Sequence, residues 1–214
     1  MCIRDSRSTP SLPPTCDIAI IGSGMAGVLT LYHILQNAHK SHLATGKRMP
    51  RVVLLDARDL CSGATARNGG HSKIKTATLA GMQDSALRTE MADYHQRVIY
   101  ELKSLVEDEG LAQECEFELR RSFDVFQDSE EFEKVKRVFD DAVEKGEEWT
   151  KSRSVVEGKY VKGVTSIRGA VGAFTCEVAS FWPYKLVTGI LEVLVRRFGE
   201  KLSLIHISEP TRPY

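Results

Sequence analysis

The distribution of apolar residues predicts a β–α–β unit near the start of the chain. Residues 17–21 and 52–56 are short apolar runs of the kind that form buried parallel strands. Between them, residues 28–37 carry apolar side chains at helical spacing, and the polar, basic residues 39–50 predict a surface loop. A strand, a helix and a strand in this order form a parallel sheet with a right-handed crossover. We therefore expect an α/β domain in this part of the chain.

Downstream of this unit, helices and strands alternate less regularly. Residues 84–109 predict a long helix with apolar side chains on one side, and residues 116–126 alternate as expected of a strand. Residues 130–145 predict a charged amphipathic helix, and residues 160–180 predict short strands broken by glycines. Residues 183–198 predict a helix with two arginines near its C-terminus, where cations suit the helix dipole.

A glycine-rich turn joins the first strand to the first helix and consists of Gly22, Ser23, Gly24, Met25, Ala26 and Gly27. The N-terminus of a helix has unpaired N–H groups and a partial positive charge, which attract phosphate. Gly22 permits the tight turn, Gly24 lets a pyrophosphate approach the backbone, and Gly27 lets the helix pack closely on the sheet. Asp56, at the end of the second strand, can accept hydrogen bonds from the adenosine ribose. This arrangement predicts a site for the ADP half of a dinucleotide.

Two other interpretations of this segment are open. The turn can be purely structural, in an α/β protein that binds no nucleotide. Residues 18–35 are also apolar enough to be considered as a membrane span or a signal peptide. Glycine and serine residues interrupt this segment, however, and Asp17 lies at its edge. The nucleotide site explains these glycines. Asp56 lies further from them than the usual ~20 residues, because the polar residues 39–50 lengthen the connection.

A second loop follows the second strand, at residues 61–71. Its glycines and small hydroxyl residues allow a ligand to approach the backbone closely. The loop resembles that of the FAD-dependent oxidoreductases of the D-amino-acid oxidase type, which include sarcosine, glycine and γ-glutamylputrescine oxidases. Members carry a Ser-Gly-Ala-(Ser/Thr)-Gly-Arg-Asn-(Gly/Ala)-Gly run here, and the chain matches it except at Ala66, where glycine is usual. If that position needs a positive φ, Ala66 is expected to be strained.

The resemblance implies FAD as the cofactor, and it extends the predicted cofactor-binding set to Ala57, Arg58, Ser62, Gly63, Ala64, Thr65, Arg67, Asn68, Gly69, Gly70 and His71. The loop residues would wrap the pyrophosphate and approach the flavin ring. His71 is the one catalytic candidate: it would form a hydrogen bond to the flavin, contact the substrate or carry a covalent flavin link. The alternative is a loop histidine paired with the backbone. Cys61 is expected to be a small buried residue and not a redox thiol.

A fainter resemblance covers residues 177–187. In the family, a strand crosses the substrate domain, passes the flavin and leads into a helix that returns to the FAD domain. Phe181, Trp182 and Tyr184 are therefore candidates for the substrate pocket. The alternative is that they are core aromatic residues at a strand–helix junction.

The matches together span about residues 16–201 and imply a Rossmann-like α/β FAD-binding domain with a parallel sheet, interleaved with part of a β-rich α+β substrate domain. We expect the FAD-binding domain at residues 16–110, the partial substrate domain at 111–182 and the returning helix at 183–201. Residues 7–15 contain several Pro and Ser residues and predict a flexible lead-in. The remaining pocket residues of the family would lie outside this chain, so we expect a truncated domain.

Composition narrows the classes of partner. The chain has 214 residues, of which 42% are hydrophobic and 27% charged, as in a soluble globular protein of one or two domains. Lys and Arg total 29 and Asp and Glu total 29, so the basic excess of a nucleic-acid-binding protein is missing. The five cysteines include no Cys-x-x-Cys pair, which favours a reducing compartment over a disulfide framework or a metal site. We expect a cytoplasmic protein that binds neither nucleic acid nor a membrane.

The predicted function is the oxidation of an amine or amino acid, at a CH–NH or CH–NH2 group, by hydride transfer to the flavin. Two alternatives remain at this point: an NAD-dependent dehydrogenase, against which the flavin-type loop argues, and a protein that holds FAD without catalysis. The choice between an oxidase and a dehydrogenase stays open.

The two ends of the chain are related at the level of DNA. Residues 1–6 can be encoded by ATG TGT ATA AGA GAC AG(T/C). The reverse complement of that DNA, less the last base, translates in one frame to Leu-Ser-Leu-Ile-His and then Ile or Met, and residues 202–207 are such a peptide. The pair resembles translated sequencing-adapter DNA left by transposon-based library preparation. We hypothesise that residues 1–6 and 202–214 are artefacts around an internal fragment. The alternative is coincidence between two short peptides, and other codons in the source DNA would exclude our hypothesis.

Overall fold

The structure, a computed structural model, describes residues 11–199 and 201–206 of the chain. Its strands and helices are, in chain order, β1 (Ile18–Ile21), α1 (Met25–Thr45), β2 (Val52–Asp56), β3 (His71–Ser72), α2 (Thr76–Ala80), α3 (Ser85–Asp108), β4 (Glu118–Phe126), α4 (Ser129–Glu144), β5 (Arg153–Glu157), α5 (Lys159–Thr165), β6 (Gly172–Ser180), α6 (Pro183–Phe198) and β7 (Leu202–His206). Two compact units result. The first contains residues 11–69, 106–116 and 181–206, and the second contains residues 70–105 and 117–180.

The first unit is built on a parallel sheet with the strand order β1-β2-β7. Ile18 pairs with Val52, and Val52 pairs with Leu202 on the other side. Because β2 lies between two strands, Val52, Val53 and Leu54 are all buried, as their continuous apolar run predicts. The order of β1, α1 and β2 confirms the predicted β–α–β unit and the α/β class.

The first helix is longer than its apolar spacing predicts. It continues to Thr45 and ends where Gly46 adopts a φ of +70° and donates its N–H to the carbonyl of His42. The prediction of a loop at residues 39–50 is therefore wrong for residues 39–45. Residues 40–45 are exposed, and their polarity reflects contact with water and not the absence of a helix.

The apolar segment at residues 18–35 consists of β1, the glycine turn and the first half of α1. In α1, Val28, Leu31 and Leu35 are fully buried, but β1 contains no buried residue and Ile21 is exposed. The prediction of a buried strand is therefore wrong for β1, which pairs on one side only, with β2, in the described sheet. None of the helices within residues 11–199 and 201–206 combines the length and the apolar character that a membrane crossing requires.

The terminal segments are only partly described by the structure. Residues 1–6 and 207–214 lie outside the described part, as do residues 7–10 of the expected lead-in. Residues 202–206 form β7, which pairs with β2 along its length.

Glu109, the residue that follows α3, joins two helices of the first unit, α1 and α6. Its side chain is only 6% exposed and forms an ion pair with Arg197 of α6, at 2.8 Å between Oε2 and Nη2. Tyr32 and Gln36 of α1 donate hydrogen bonds to Glu109 Oε1. Burial raises the pKa of Glu109, but the hydrogen bonds from Arg197 and Tyr32 outweigh it and hold the pKa below its usual value. The charged carboxylate therefore stabilises the packing of α1 on α6.

This contact predicts a pH-dependent stability. Because the pKa of Glu109 is lower in the folded chain, its stabilisation is complete above the ordinary value of 4.5 and is lost as the pH falls through the folded-state pKa. We expect Glu109→Gln to lower the free energy of unfolding by about 2 kcal/mol at pH 6. The difference from the wild type should shrink towards pH 3, as measured by urea denaturation. Glu192→Gln, at an exposed position of α6, is the matched control and should change little. An equal Glu109→Gln deficit at both pH values would contradict the prediction.

The second unit is built on an antiparallel sheet. β6 is its centre: β4 pairs along one edge of β6, while β5 and β3 share the other edge. The expectation of short strands at residues 160–180 is wrong in two places. α5 occupies the first part of this range, and β6 is a single strand of nine residues. Gly163 lies inside α5, so this glycine does not break the helix.

Aromatic side chains form the core of the second unit. The ring of Phe174, on β6, lies 5.3 Å from that of Phe139, 5.8 Å from that of Phe132 and 6.0 Å from that of Phe126, centroid to centroid. A Cβ on Gly172 would lie 2.3 Å from the Phe132 ring, so this glycine makes room for the cluster. On β4 the buried residue is Phe126. The aromatic cluster fixes α4 against the sheet.

Candidate dinucleotide-binding site

The turn between β1 and α1 has the backbone geometry of a phosphate-binding turn. Gly22 has a φ of +101°, a conformation that a side chain would strain. Gly24 is the N-cap of α1 and makes no side-chain capping bond. The N–H groups at the start of the helix are therefore not capped by their own N-cap residue, as an anion site requires.

Gly27 brings the helix against the turn. A Cβ on Gly27 would lie 1.9 Å from the carbonyl oxygen of Gly22 and 3.1 Å from its carbonyl carbon. No side chain fits at this distance. The predicted role of Gly27, close packing of the helix on the end of the first strand, is therefore explained by a specific backbone contact.

The second loop meets the first at the start of α1. Residues 64–67 form a short 3-10 turn, and Thr65 Oγ1 accepts a hydrogen bond of 3.1 Å from the N–H of Met25. A Cβ on Gly24 would lie 3.1 Å from the same oxygen, so glycine at this position allows the loop to approach. Asn68 Nδ2 donates to the carbonyls of Ala64 and Thr65 and holds the turn. The structure thus brings together two motifs that are separate in the sequence.

The backbone strain of this loop lies at a different residue from the one expected. Ala66 is not among the described residues with a positive φ, and its N–H bonds to the carbonyl of Gly63 within the 3-10 turn. The expected strain at Ala66 is therefore not found. Cys61 instead has a φ of +56°, which is rare for a residue with a Cβ. Its N–H donates to Ser23 Oγ at 2.8 Å, and this bond supports the strained position.

Asp56 connects the end of β2 to the glycine turn. Its Oδ2 accepts hydrogen bonds from both the N–H and the hydroxyl of Ser23, at 2.8 and 2.5 Å. Its Oδ1 accepts from the N–H of Arg58 at 3.0 Å. Burial raises the pKa of Asp56, but these hydrogen bonds lower it by a larger amount. The net pKa therefore lies below the ordinary value. The carboxylate is charged at neutral pH and close to the turn.

Ser62 supplies a test of whether these residues fit a dinucleotide. Its hydroxyl oxygen is buried and has no hydrogen-bond partner within the part of the chain that the structure describes. An unpaired buried hydroxyl costs about 1–3 kcal/mol, and a pyrophosphate oxygen is an acceptor to which it can donate. Arg58, which precedes this loop, has its Nη2 3.3 Å from the position of a Cβ on Gly63, the residue after Ser62. The donors and the glycine backbone fit a pyrophosphate.

The predicted site residues are divided between the two units. The first unit contains residues 22–27, 56–58 and 62–69, and the second unit contains Gly70 and His71. His71 begins β3, is exposed, and pairs with Ser180 of β6. It therefore belongs to a strand and not to a loop. The candidate catalytic role of His71 stays a prediction.

The aromatic candidates at residues 181–184 lie at the start of α6. Trp182 is the N-cap residue of that helix and is half exposed. Its backbone N–H donates a hydrogen bond to the backbone carbonyl of Cys115. The ammonium of Lys185 lies 4.1 Å from the centre of the Trp182 ring, a cation–π distance. Tyr184 and Phe181 are partly buried. Trp182 is thus a surface residue of the first unit and not a core aromatic.

Cys61 gives a prediction on reactivity. The residue is buried, and burial raises the pKa of its thiol to about 11, with the charge of Asp56 adding to the effect. We expect iodoacetamide at pH 8 to modify the exposed Cys16 and to leave Cys61 unmodified in the native chain. In urea both should react, as measured by mass spectrometry of peptides. Equal labelling of the two cysteines without urea would show that Cys61 is not the buried structural residue described above.

The comparisons with known proteins concern the family and the fold of the chain. The family model described as FAD dependent oxidoreductase matches residues 17–201. No curated protein sequence matches the chain. Among solved structures, an L-amino acid deaminase from Proteus vulgaris is 14% identical with a TM-score of 0.64, over 94% of this chain and 48% of that one.

Two further structures share the fold. An L-proline dehydrogenase from P. horikoshii is 18% identical with a TM-score of 0.63, over 92% of this chain and 45% of that one. An L-alpha-glycerophosphate oxidase from Mycoplasma pneumoniae, solved with FAD bound, is 13% identical with a TM-score of 0.59, over 91% and 45%. The chain spans about half the length of these structures. The family match covers both loops of the site and most of the chain, and the chain therefore belongs to the FAD-dependent oxidoreductase family.

Proposed function

We propose that the protein oxidises an amine or an amino acid at a CH–NH or CH–NH2 group. FAD, when bound, supplies the chemistry by accepting a hydride from the substrate carbon. The nitrogen lone pair then forms the C=N bond of an imine, and the nitrogen releases a proton. The observation that carries the proposal is the meeting of the two loops at Thr65 and Met25, in a family member whose fold is shared by a deaminase and a dehydrogenase of amino acids.

The residues of this chain would bind and orient the cofactor. The first turn of α1 and the hydroxyl of Ser62 would hold the pyrophosphate, because both offer donors to its oxygens. Asp56 would accept from the ribose hydroxyls of the adenosine. FAD is the cofactor of the family, which removes the NAD-dependent alternative considered from the sequence.

We further propose that this 214-residue chain binds the ADP portion but turns over little or no substrate. The chain spans only 48% and 45% of the deaminase and dehydrogenase that share its fold. A soluble, monomeric and active 214-residue protein would contradict this proposal.

The experiment compares two proteins: the product of the source gene from which the hypothesised fragment derives, and the present 214-residue chain. The longer protein should be yellow, with flavin absorbance that survives gel filtration. It should reduce its flavin anaerobically when mixed with members of a panel of L-amino acids, D-amino acids and secondary amines. A protein that takes up no FAD overturns the proposal, and so does flavin reduction by glycerophosphate alone. Flavin binding without reduction by any member of the panel would favour the non-catalytic FAD-binding alternative.

We also propose a cytoplasmic location. Cys16, Cys61 and Cys176 are free thiols, and free thiols suit a reducing compartment. Fractionation of cells that express the product of the uninterrupted gene tests this, and recovery in a membrane or extracellular fraction would contradict it.

A further inference from the structure

Ser23 is completely buried, although it is a polar residue in a surface turn. Its hydroxyl donates to Asp56 Oδ2 and accepts from the N–H of Cys61, so both of its hydrogen-bonding functions are used. Its own N–H donates to the same carboxylate oxygen. One side chain thus connects the glycine turn, the end of β2 and the strained first residue of the second loop.

Hydrogen bonds from the protein hold both oxygens of the Asp56 carboxylate. Oδ2 receives both donors of Ser23, and Oδ1 receives the N–H of Arg58. A carboxylate has about four acceptor sites, so one remains for a ligand. Hydrogen bonds to a charged acceptor are about twice as strong as neutral ones. They restrict rotation of the Asp56 side chain before any ligand arrives, and a group that is already oriented binds with a smaller loss of entropy.

We propose that Ser23 is a positioning residue that orients Asp56 toward a ribose hydroxyl of the adenosine. The inference rests on the proposed function, because it assumes that the ADP portion of FAD lies at this turn. It goes further because it assigns the preference for a ribose over a dideoxyribose to Ser23 and Asp56 together, whereas the sequence indicates only the carboxylate of Asp56. Ser23 itself does not contact the ligand in this proposal.

The experiment compares two nucleotides that differ only in the ribose of the ADP portion. The affinities of ADP and 2′,3′-dideoxy-ADP for the 214-residue chain are measured by isothermal titration calorimetry. For the wild type we expect ADP to bind at least about tenfold more tightly, since one hydrogen bond to a charged group is sufficient for that ratio. For Ser23→Ala we expect the ratio to fall to about twofold or less, while dideoxy-ADP still binds through its pyrophosphate.

A double-mutant cycle separates positioning from a general loss of structure. Asp56→Ala should abolish the preference for ADP, and adding Ser23→Ala to it should change the ratio no further. Ser62→Ala is the matched control, because it removes a serine hydroxyl from the same site without touching Asp56. It should weaken both nucleotides by the same factor and preserve the ratio.

The outcomes are distinguishable. If Ser23→Ala weakens ADP and dideoxy-ADP equally, Ser23 is only structural and the inference is wrong. If the wild type binds neither nucleotide, the proposed dinucleotide site is itself overturned, and the inference falls with it. Should Ser23→Ala fail to fold, Ser23→Cys retains a side chain of similar size with a weak donor and should lower the ratio in the same way; an unchanged ratio would overturn the inference.

Discussion

Gly27→Ala is expected to lower the free energy of unfolding by about 3 kcal/mol and to weaken ADP binding by about a hundredfold. The added methyl would lie 1.9 Å from the backbone oxygen of Gly22. A backbone atom cannot move aside as a flexible side chain can, so either the helix or the turn must shift. Both carry the N–H groups that would face the pyrophosphate. Urea denaturation followed by circular dichroism measures the first effect, and calorimetry with ADP measures the second.

The sign of this effect is informative, because Gly→Ala within a helix ordinarily stabilises a protein by up to about 1 kcal/mol. Gly163, inside α5, is the matched control: a Cβ there would meet nothing within 4 Å. Gly163→Ala should therefore raise stability slightly and leave ADP binding unchanged. If Gly27→Ala behaved like Gly163→Ala, the close contact between helix and turn would be excluded.

Phe174→Ala is expected to cost the second unit about 4 kcal/mol, in the range for a large aromatic side chain removed from a core. Its ring lies within 6.0 Å of three other phenylalanine rings, centroid to centroid. Those rings hold α4 against the sheet, so the cavity cannot close without moving a helix. Trp149 is buried beside Phe139 and reports on this core by its fluorescence. The measurement uses a Trp182→Phe background, in which Trp149 is the remaining one of two tryptophans.

Tyr94→Ala provides the control for this substitution. Tyr94 is another aromatic residue of the second unit, but its side chain is exposed. Its removal should change the free energy of unfolding by no more than about 0.5 kcal/mol. A loss similar to that of Phe174→Ala would mean that the effect comes from aromatic content and not from burial at the centre of the cluster.

The sequence predicts the parts of the fold in which periodicity has a single interpretation. β1 and β2 lie where their apolar runs indicate, and α6 begins and ends at the predicted residues. Polarity misleads in α1, because helical turns that extend into water lose their apolar side but keep their backbone bonds. Glycines mislead at α5, where the residues after β5 form a helix around Gly163. At the end of α1 the helix continues although its residues are exposed, and in α5 it continues although it contains a glycine, because the backbone hydrogen bonds of the helix are kept.

The candidate site is predictable in its residues but not in its connections. The glycine turn and the second loop are both visible in the sequence, since glycine spacing and the acid after a strand each report a local requirement. The bond from Ser23 to Asp56 and the positive φ of Cys61 depend on residues that approach through the fold. The bond from Ser23 could have been predicted from the sequence, because a hydroxyl residue lies between Gly22 and Gly24 of the turn. Nothing in the sequence distinguishes Cys61 from Ala66 as the strained position.

The contacts that assemble the site also determine when it can exist. The bond between Met25 and Thr65 joins residues 40 apart, and the bonds between Ser23 and Asp56 join residues 33 apart. Contacts of this separation form only after the intervening chain has closed. With the proposed site, a nascent chain would therefore have no nucleotide affinity until β1, α1 and β2 are assembled. A bound adenine nucleotide would then add its binding free energy only to chains in which that assembly is complete.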